Sequence, residues 1–343
     1  MKRLIAALIV LLLIAAAVAA AWIWTGVNRP YKGYSGVEQF VEIAPGAPPG
    51  RIGRALVQSG VVRDIPTVRA AILLTHQGRH LQAGEYRFDH PMSARDVIEK
   101  IARGEVYLRP LTFPEGLTLR QMAALFESKG FGKAGDFVAA ASDTSSIRAI
   151  DPQATDLEGY LFPDTYRLPR TVTAAQLVGR MVANFNKALT PDVRQAAAAH
   201  GLTIRGLVTL ASIVEKETAR PDERPLVAAV YSNRLRIGMA LQCDPTVIYA
   251  LARADQYNGN LTRANLQVDS PYNTYRYPGL PPGPIASPGR ASLVAAANPA
   301  DVPYLYFVSR NDGSHVFATT LAEHNRNVQQ YQIKYFHDKH LGR

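Results

Sequence analysis

The sequence predicts an α+β protein in which a membrane helix precedes a small α/β lobe and a larger, mostly helical lobe that ends in a β-hairpin. Three observations support this class. The N-terminus is uncharged over a long stretch, short strand and helix patterns alternate up to about residue 113, and long runs of helical apolar spacing follow. The length of 343 residues allows two compact domains, and a composition with 47% hydrophobic and 19% charged residues is that of a folded chain.

The N-terminal stretch from Leu4 to Trp24 carries no charge and is long enough to span a hydrocarbon core of about 30 Å as a helix. Lys2 and Arg3 precede it, which places the N-terminus in the cytoplasm and the remaining chain outside the plasma (inner) membrane. Residues 1–27 are therefore predicted to be a cytoplasmic tip and anchor, followed by a polar linker over 28–36. A cleaved signal peptide is the alternative, because "AAAVAAA" offers small-residue cleavage sites.

Charge and cysteine content restrict the partners. The net charge is +10, of which about +7 belongs to the exported part, a mild excess that suits an anionic membrane surface or an acidic polymer. Basic clusters interleaved with aromatic residues are absent from the sequence, so nucleic acid is not an expected partner. Cys243 is the only cysteine, so the fold cannot contain an intramolecular disulfide.

The first lobe is predicted over residues 37–113. Strand patterns occur in "VEQFVEIAPG" and "AGEYRF", and helix patterns in "RIGRALVQSG", in "DIPTVRAAILLTHQG" from Asp64 to Gly78, and in "SARDVIEKIARG" after a Ser93 cap. The segments starting at Pro45 and Pro114 share a turn, an amphipathic helix and a closing glycine. Either a duplicated module or a chance similarity explains the shared pattern of these two segments.

The second lobe is predicted over residues 114–343. Apolar spacing predicts five helices, at 119–129, 174–188, 191–199, 204–219 and 224–236. The segment from Leu241 to Arg290 is rich in Pro, Gly, Asn and Tyr, which excludes much helix interior and indicates a binding loop. "PYLYFVSR" and "SHVFATT" around "NDG" predict a β-hairpin, and Thr320 with Glu323 begins a last helix, "LAEHNRNVQQYQIKYF".

Specific catalytic and metal motifs are missing from the sequence. It contains no H-E-x-x-H, no paired C-x-x-C and no G-x-S-x-G, and Ser212 and Lys216 are spaced one residue too far apart for an S-x-x-K motif. We therefore expect neither a metal nor a cofactor. The remaining option is catalysis by a carboxylate side chain.

Two glutamates, Glu215 and Glu217, end the helical run "LVTLASIVEKE" before Pro221 stops it. At about 100° per residue the two glutamates lie at opposite edges of the buried helix face. Helical spacing alone therefore does not show which of them is catalytic. A non-catalytic interpretation is that both glutamates are solvated charges at the end of a helix. The helix dipole disfavours a carboxylate there and raises its pKa, which suits an acid catalyst.

The residues that follow combine polar side chains with tyrosines. Asn233 and Asp244 lie near an aromatic loop that contains Tyr272 and Asn273, a combination suited to the apolar faces and hydroxyl edges of sugar rings. A packed, tyrosine-rich loop explains the same residues.

At these residues the chain resembles a known family. "LEGYLFPDTY", "LASIVEKET", "NRLRIGMALQCDPTVIY", "YNTYRYPGLPPGPIASPG" and "PYLYFV" are similar to segments of the endolytic murein transglycosylases, the membrane-anchored YceG-like proteins. In the family pattern the second glutamate of "EKE" is catalytic, which implies Glu217. Residues 83–113 resemble the family's LysM-like glycan-binding module, so the first lobe, 37–113, is interpreted as that module and 114–343 as the catalytic domain.

The resemblance implies endolytic cleavage of the MurNAc–GlcNAc bond in nascent peptidoglycan, with 1,6-anhydro ends and limited strand elongation. Asn233, Asp244, Tyr272, Asn273 and Glu158 are the expected substrate-binding residues. It also implies action near peptidoglycan synthases. A hydrolytic muramidase is the nearest alternative, favoured if Glu158 faces Glu217 as a second carboxylate. A non-catalytic, anchored wall-binding protein is the alternative from another class.

Overall fold

The computed structural model describes residues 2–335 and 337. This part of the chain contains thirteen α-helices and three two-stranded sheets, which confirms the α+β class. It divides into two compact units. The first comprises the described residues up to Pro110 together with Arg167–Thr171, and the second comprises Leu111–Tyr166 and the described residues from Val172 onward.

The N-terminal helix α1 (Lys2–Asn28) is continuous over 27 residues. Its segment Ala7–Asn28 is strongly apolar and almost wholly exposed, and near its end Val27 is buried in the core of the first unit. Among the described residues, α1 is the one helix that is long and apolar enough by itself to cross a bilayer. The sequence prediction of an apolar N-terminal helix is thus confirmed.

The first unit pairs two antiparallel strands, β1 (Gln39–Ile43) and β2 (Gly84–Phe88), with Val41 opposite Tyr86. Alternate residues of both strands are buried, as the two-residue period of a strand requires. The helices that complete this core with α1 are α2 (Pro49–Gln58), α3 (Ile65–Thr75) and α4 (Ala94–Ala102).

Two of these helices begin at the predicted caps. Asp64 accepts a hydrogen bond from the Thr67 amide at 2.8 Å, and Ser93 accepts one from the Asp96 amide at 3.1 Å. Helix α3 ends before the predicted stop at Gly78. His76 adopts a left-handed conformation with φ of 56° and closes the helix there.

The second unit is mostly helical, and the five helices predicted from apolar spacing are confirmed, as is the last helix predicted after Thr320. Its helices are α5 (Leu119–Ser128), α6 (Ala134–Ala141), α7 (Ala174–Ala188), α8 (Pro191–Ala199), α9 (Ile204–Glu217), α10 (Arg224–Arg236), α11 (Asp244–Arg253), α12 (Arg290–Ala297) and α13 (Leu321–Val328). Helices α6, α11 and α12 were not predicted. The expectation of little helix after Leu241 was wrong for α11, because Pro245 lies in the first turn, where no amide donor is needed.

Helix α9 is the central element of the second unit. Every residue from Leu207 to Val214 is buried. Helices α8, α10, α11 and α12 all pack against it. Because α9 is enclosed by other helices, its C-terminal end has a defined position relative to α10 and α11.

Strands β3 (Arg109–Thr112) and β4 (Thr165–Leu168) pair where the chain passes from one unit to the other. In the second unit, β5 (Tyr306–Ser309) and β6 (His315–Ala318) pair antiparallel, with Phe307 opposite Phe317. Helix α13 follows β6, begins with the predicted capping box of Thr320 and Glu323, and continues into a π-helical turn. Phe336, the last residue of the predicted helix, lies outside the described residues.

Candidate active site

The two glutamates at the end of α9 have different neighbours. The Glu215 side chain is only 6% exposed; one oxygen accepts a hydrogen bond from the Gly289 amide at 3.0 Å and the other lies 3.5 Å from the Arg224 guanidinium. Arg224 also donates to Ser292, so Glu215 connects α9 to α10 and to the start of α12. This carboxylate is held by a buried ion pair.

Glu217 is the last residue of α9, and its carboxyl group has neutral partners. Its Oε1 accepts a hydrogen bond from the Tyr231 hydroxyl at 2.6 Å and another from the Cys243 thiol at 3.1 Å. Thr218, the next residue, is extended, which ends the helix directly after the carboxylate. Glu217 is thus held in place without an ion pair.

The surroundings of Glu217 raise its pKa above the ordinary value of a glutamate. Burial is the largest cause, and the negative charge of Asp244 adds to it. The hydrogen bonds from Tyr231 and Cys243 and the nearby His315 act in the opposite direction, but burial prevails. Such a carboxyl group retains its proton at a higher pH than an exposed one, as a general acid must.

Glu217 lies in the wall of a cavity of about 260 Å³. Residues from six separate segments of the second unit form this cavity. They are Glu217, Tyr231, Arg234, Leu241, Gln242, Asp244, Tyr275, Phe307 and His324. The cavity therefore joins aromatic rings, an amide, a guanidinium group and two carboxylates at one place.

Three of these residues are fixed by contacts within the wall. Asp244, the first residue of α11, accepts a hydrogen bond from the Tyr275 hydroxyl at 2.6 Å. Arg234 donates to the Leu305 and Leu241 carbonyls, at 2.7 and 2.6 Å. These contacts attach α10 and α11 to the loops that close the cavity.

His324 has an unused hydrogen-bonding atom. Its Nδ1 is buried and has no hydrogen-bond partner within residues 2–335 and 337. Burial and the nearby Arg234 lower its pKa, so the ring is neutral near pH 7. His324 stacks on Tyr306, which holds the imidazole in the cavity wall.

A buried pair supports the loop after Glu217. Glu223 accepts hydrogen bonds from both the backbone amide and the ring Nδ1 of His315 on β6, at 2.9 and 2.6 Å. The Thr218 hydroxyl donates to Glu223 as well. The turn from α9 to α10 is therefore connected to β6, near the ring of Phe307.

Among the residues predicted to bind substrate, only Asp244 lines this cavity. Asn233 donates to the backbone oxygens of Val302 and Tyr304, so its amide holds the segment before β5. Asn273 is fully buried and donates to the carbonyls of Leu266 and Val268. Both asparagines have a visible role in loop structure.

Glu158 and Tyr272 belong to a different cluster. Glu158 is 7% exposed and accepts hydrogen bonds from the Leu119 amide at 3.0 Å and from the Tyr249 hydroxyl at 3.3 Å. Tyr272 lies against Tyr249 with ring centroids 5.0 Å apart. Burial raises the pKa of Glu158 to about 8. Neither residue lines the cavity that contains Glu217.

A second depression, of about 600 Å³, is lined in part by Glu115, Arg224 and Arg290. Its carboxylate, Glu115, is half exposed and lies 3.8 Å from Arg224. Glu217 is the better acid candidate, because its carboxyl group is buried against neutral donors. No group of three or more potential metal ligands occurs in the described part of the chain.

Sequence reasoning missed Tyr231 and Cys243 as partners of Glu217. A signal for Tyr231 exists, because Val227, Val230 and Tyr231 follow helical spacing and a buried tyrosine hydroxyl requires an acceptor. No comparable signal exists for Cys243. A lone cysteine in a loop is usually a small apolar residue.

The chain is similar to proteins of one kind. The model of the YceG-like family matches residues 41–330. The endolytic murein transglycosylase of Bacillus subtilis is 32% identical over 265 residues, which is 73% of each chain. That of Streptococcus pneumoniae strain D39 is 31% identical over 85% of this chain, which spans only 58% of the pneumococcal protein. The crystal structure of a yceG-like protein from Listeria monocytogenes is 31% identical, with a TM-score of 0.59 over 84% of this chain and 98% of that one.

Proposed function

Since the chain belongs to the YceG-like family, we propose that it is a lytic transglycosylase that cleaves peptidoglycan strands internally. One observation of the structure supports this proposal most directly: the buried Glu217 lies in a cavity wall beside aromatic and polar side chains. Sugar rings bind to such surfaces through their apolar faces and hydroxyl groups.

Glu217 acts as the acid and then as the base. In the first step its protonated carboxyl group gives the proton to the oxygen that links MurNAc to GlcNAc, and the glycosidic bond breaks. In the second step the carboxylate takes the proton from the 6-hydroxyl of the same MurNAc, whose oxygen attacks the anomeric carbon. The products are a GlcNAc hydroxyl end and a 1,6-anhydro-MurNAc end, and no water is consumed.

Tyr231 and Cys243 position the carboxyl group for these steps. Both donate to Oε1, so in the acid form the proton is carried by Oε2. Since both donors come from residues buried in the second unit, the carboxyl group has one orientation before substrate binds. Preorganisation of this kind lowers the cost of reaching the transition state.

Replacement of Glu217 by Gln tests the proposal. The full-length Glu217→Gln protein in detergent should release muropeptides from intact sacculi about 10²- to 10⁴-fold more slowly than the parent, because the general acid is lost. Asp222→Asn removes an exposed carboxylate from the adjacent turn and serves as the matched control, with activity unchanged. A folded Glu217→Gln protein with the parent rate would refute the mechanism.

A hydrolytic muramidase is the second candidate, because Asp244 provides a further carboxylate in the same cavity. Mass spectrometry of the released chain ends separates the two reactions, since each anhydro end is one water lighter than a hydrolysed end. A non-catalytic wall-binding protein would create no new ends.

The remaining parts of the chain extend the proposal. The first lobe, residues 37–113, is a LysM-like module that binds glycan, and α1 anchors the protein in the inner membrane with its N-terminus in the cytoplasm and the catalytic part outside. Lys2 and Arg3 before the span support this orientation. Cleavage of nascent strands limits their elongation and places the protein near peptidoglycan synthases.

A further inference from the structure

Helices α1 and α3 of the first unit lie side by side and run in opposite directions. A cavity of about 320 Å³ between them is lined by residues from the end of α1, including Trp22 and Arg29, and from the start of α3, including Arg63 and Ala70. A Cβ atom on Gly26 would lie 3.6 Å from the Thr67 hydroxyl, an ordinary contact distance, so Gly26 faces Thr67. Tyr31, after the end of α1, lies under the Arg63 guanidinium, before the start of α3. The paired positions therefore run in opposite directions, and the rest of α3 points back along α1 toward the proposed membrane.

The far end of α3 presents leucines to the outside. Leu73, opposite the buried Val68 and Ala71, is 72% exposed, and Leu74, beside Ala71, is 44% exposed. The helix reads "IPTVRAAILLT", with one charge in eleven residues. A helix on a water-exposed surface normally carries polar residues on its outer face. The two leucines form a small exposed apolar patch between Arg69 and the polar turn that contains His76, Arg79 and His80, as at a membrane surface where apolar side chains lie deeper than the cations beside them.

The side chains around the cavity follow the polarity of a bilayer interface. Trp22 and Trp24 are 65% and 58% exposed at the end of α1, where tryptophans are enriched at membrane surfaces. Arg29 and Arg63 line the cavity, and Asp64, the one acid there, caps α3. Two guanidinium groups at the level of the membrane surface are suited to binding lipid phosphates.

We propose that the C-terminal half of α3 inserts into the outer leaflet of the bilayer that α1 crosses. Leu73 and Leu74 lie among the acyl chains, and Arg29 and Arg63 bind phospholipid phosphate groups in the cavity. The inference rests on the proposed anchoring by α1 and adds a second contact to it. The first unit is therefore held against the membrane by two helices, as interfacial helices hold peripheral proteins.

Fluorescent labels at single cysteines test this insertion in the full-length protein. Cys243 is fully buried, so the native chain provides an unreactive background. The protein is reconstituted in phosphatidylglycerol-containing nanodiscs with an environment-sensitive label at Leu73→Cys, and nitroxide-bearing lipids are then added. We expect a blue-shifted emission and loss of most of its intensity on quenching.

Two control positions separate the outcomes. Val37→Cys is the matched control, because Val37 is 83% exposed and apolar but lies near Glu38 and Glu42, which an anionic surface repels; its label should keep its intensity. Ile9→Cys reports on the anchor. If the Ile9 label is quenched while the Leu73 label behaves like that at Val37, the insertion of α3 is refuted and the anchor stands.

Loss of quenching at Ile9 as well would refute both the anchor and the insertion, whereas the catalytic proposal is tested separately at Glu217. A second copy of the chain on α3 is also distinguished. In that case the Leu73 label would be shielded in nanodiscs that contain two chains but not in those that contain one, which refutes insertion.

Discussion

At the scale of single residues, the neighbours of a carboxylate decide its chemistry. Glu215 and Glu217 belong to one helix and are separated by a single residue. Glu215 faces a guanidinium group and a backbone amide, which stabilise its charge. Glu217 accepts hydrogen bonds from a hydroxyl and a thiol, which lower its pKa, but its burial outweighs them and favours the neutral form. A lytic transglycosylase needs a carboxyl group whose neutral form is favoured, because that group must donate a proton.

Activity should fall above the pH at which Glu217 loses its proton, and this alkaline limit should move in opposite directions in two variants. Tyr231→Phe removes a hydrogen bond that lowers the pKa of Glu217, so the pKa rises and the limit moves to higher pH, with a lower maximum rate. Asp244→Asn removes a negative charge that raises this pKa, so the limit moves to lower pH.

The measurement is the pH profile of muropeptide release by each full-length variant. The neighbouring groups that shift the pKa of Glu217 most, apart from burial, are Tyr231, Cys243, Asp244 and His315. Shifts in the same direction for both variants would contradict the assignment of the alkaline limit to Glu217. Cys243→Ser, which retains a donor, should leave the limit nearer to that of the parent than Cys243→Ala does.

At the scale of helices and strands, buried polar groups connect the elements that form the site. Glu158 joins the start of α5 to α11 by accepting hydrogen bonds from Leu119 and Tyr249. Gly159, next to it, has φ of 82°, and a Cβ atom there would lie 2.4 Å from Pro284. The position therefore requires glycine for both its backbone conformation and its close packing.

The stability of the protein should fall with rising pH because of Glu158. Its pKa is raised by burial from 4.5 in the unfolded chain to about 8 in the folded one, so the folded state binds more protons in this range. The stability contributed by Glu158 is fully present below pH 4.5 and falls as the pH rises toward 8, by about 4 kcal/mol.

Glu158→Gln should remove most of this pH dependence. Thermal unfolding of the detergent-solubilised protein at pH 5 and pH 8 measures it, and the difference in Tm between the two values should be smaller for the variant than for the parent. Asp192→Asn changes an exposed carboxylate at the start of α8 and is the control. Equal differences in parent and Glu158→Gln would show that Glu158 is not the responsible group.

At the scale of the whole molecule, the proposed anchoring by α1 would place the chemistry beside a membrane. Lys2 and Arg3 precede the apolar stretch and Arg29 and Lys32 follow it, so two cationic side chains lie on each side and the proposed orientation is sensitive to the loss of either pair. Residues 207–214 of α9 belong to the core of the second unit, whereas α1 belongs to the first unit, so the candidate site is separate from the apolar helix.

Neutralising the N-terminal cations should reduce correct insertion. A protein with Lys2→Gln and Arg3→Gln should place a smaller fraction of its chains with the body outside, because the positive charge on the cytoplasmic side is lost. Protease added to spheroplasts measures the accessible fraction. The same charge change at Arg51 and Arg54, exposed on α2, is the control, and an unchanged fraction in the N-terminal variant would contradict the proposed orientation.

Much of the secondary structure could be predicted because its signals are local. Apolar periodicity, caps such as Asp64 and Ser93, and uncharged length are properties of consecutive residues, so they identified α1, five helices of the second unit and the pair of glutamates. Helix α11 was missed because its proline was weighed without its position in the first turn. Loop roles for Asn233 and Asn273 have no local signal.

The sequence by itself determined the fold class, the apolar N-terminal helix and the end of α9 as the candidate catalytic segment. Only the tertiary structure showed which glutamate has neutral partners. Those partners are distant in the chain: Tyr231 is 14 residues and Cys243 is 26 residues from Glu217, whereas the amide that binds Glu215 is 74 residues away. Burial and hydrogen bonding between distant segments set the pKa of a side chain, and helical periodicity carries no information about them.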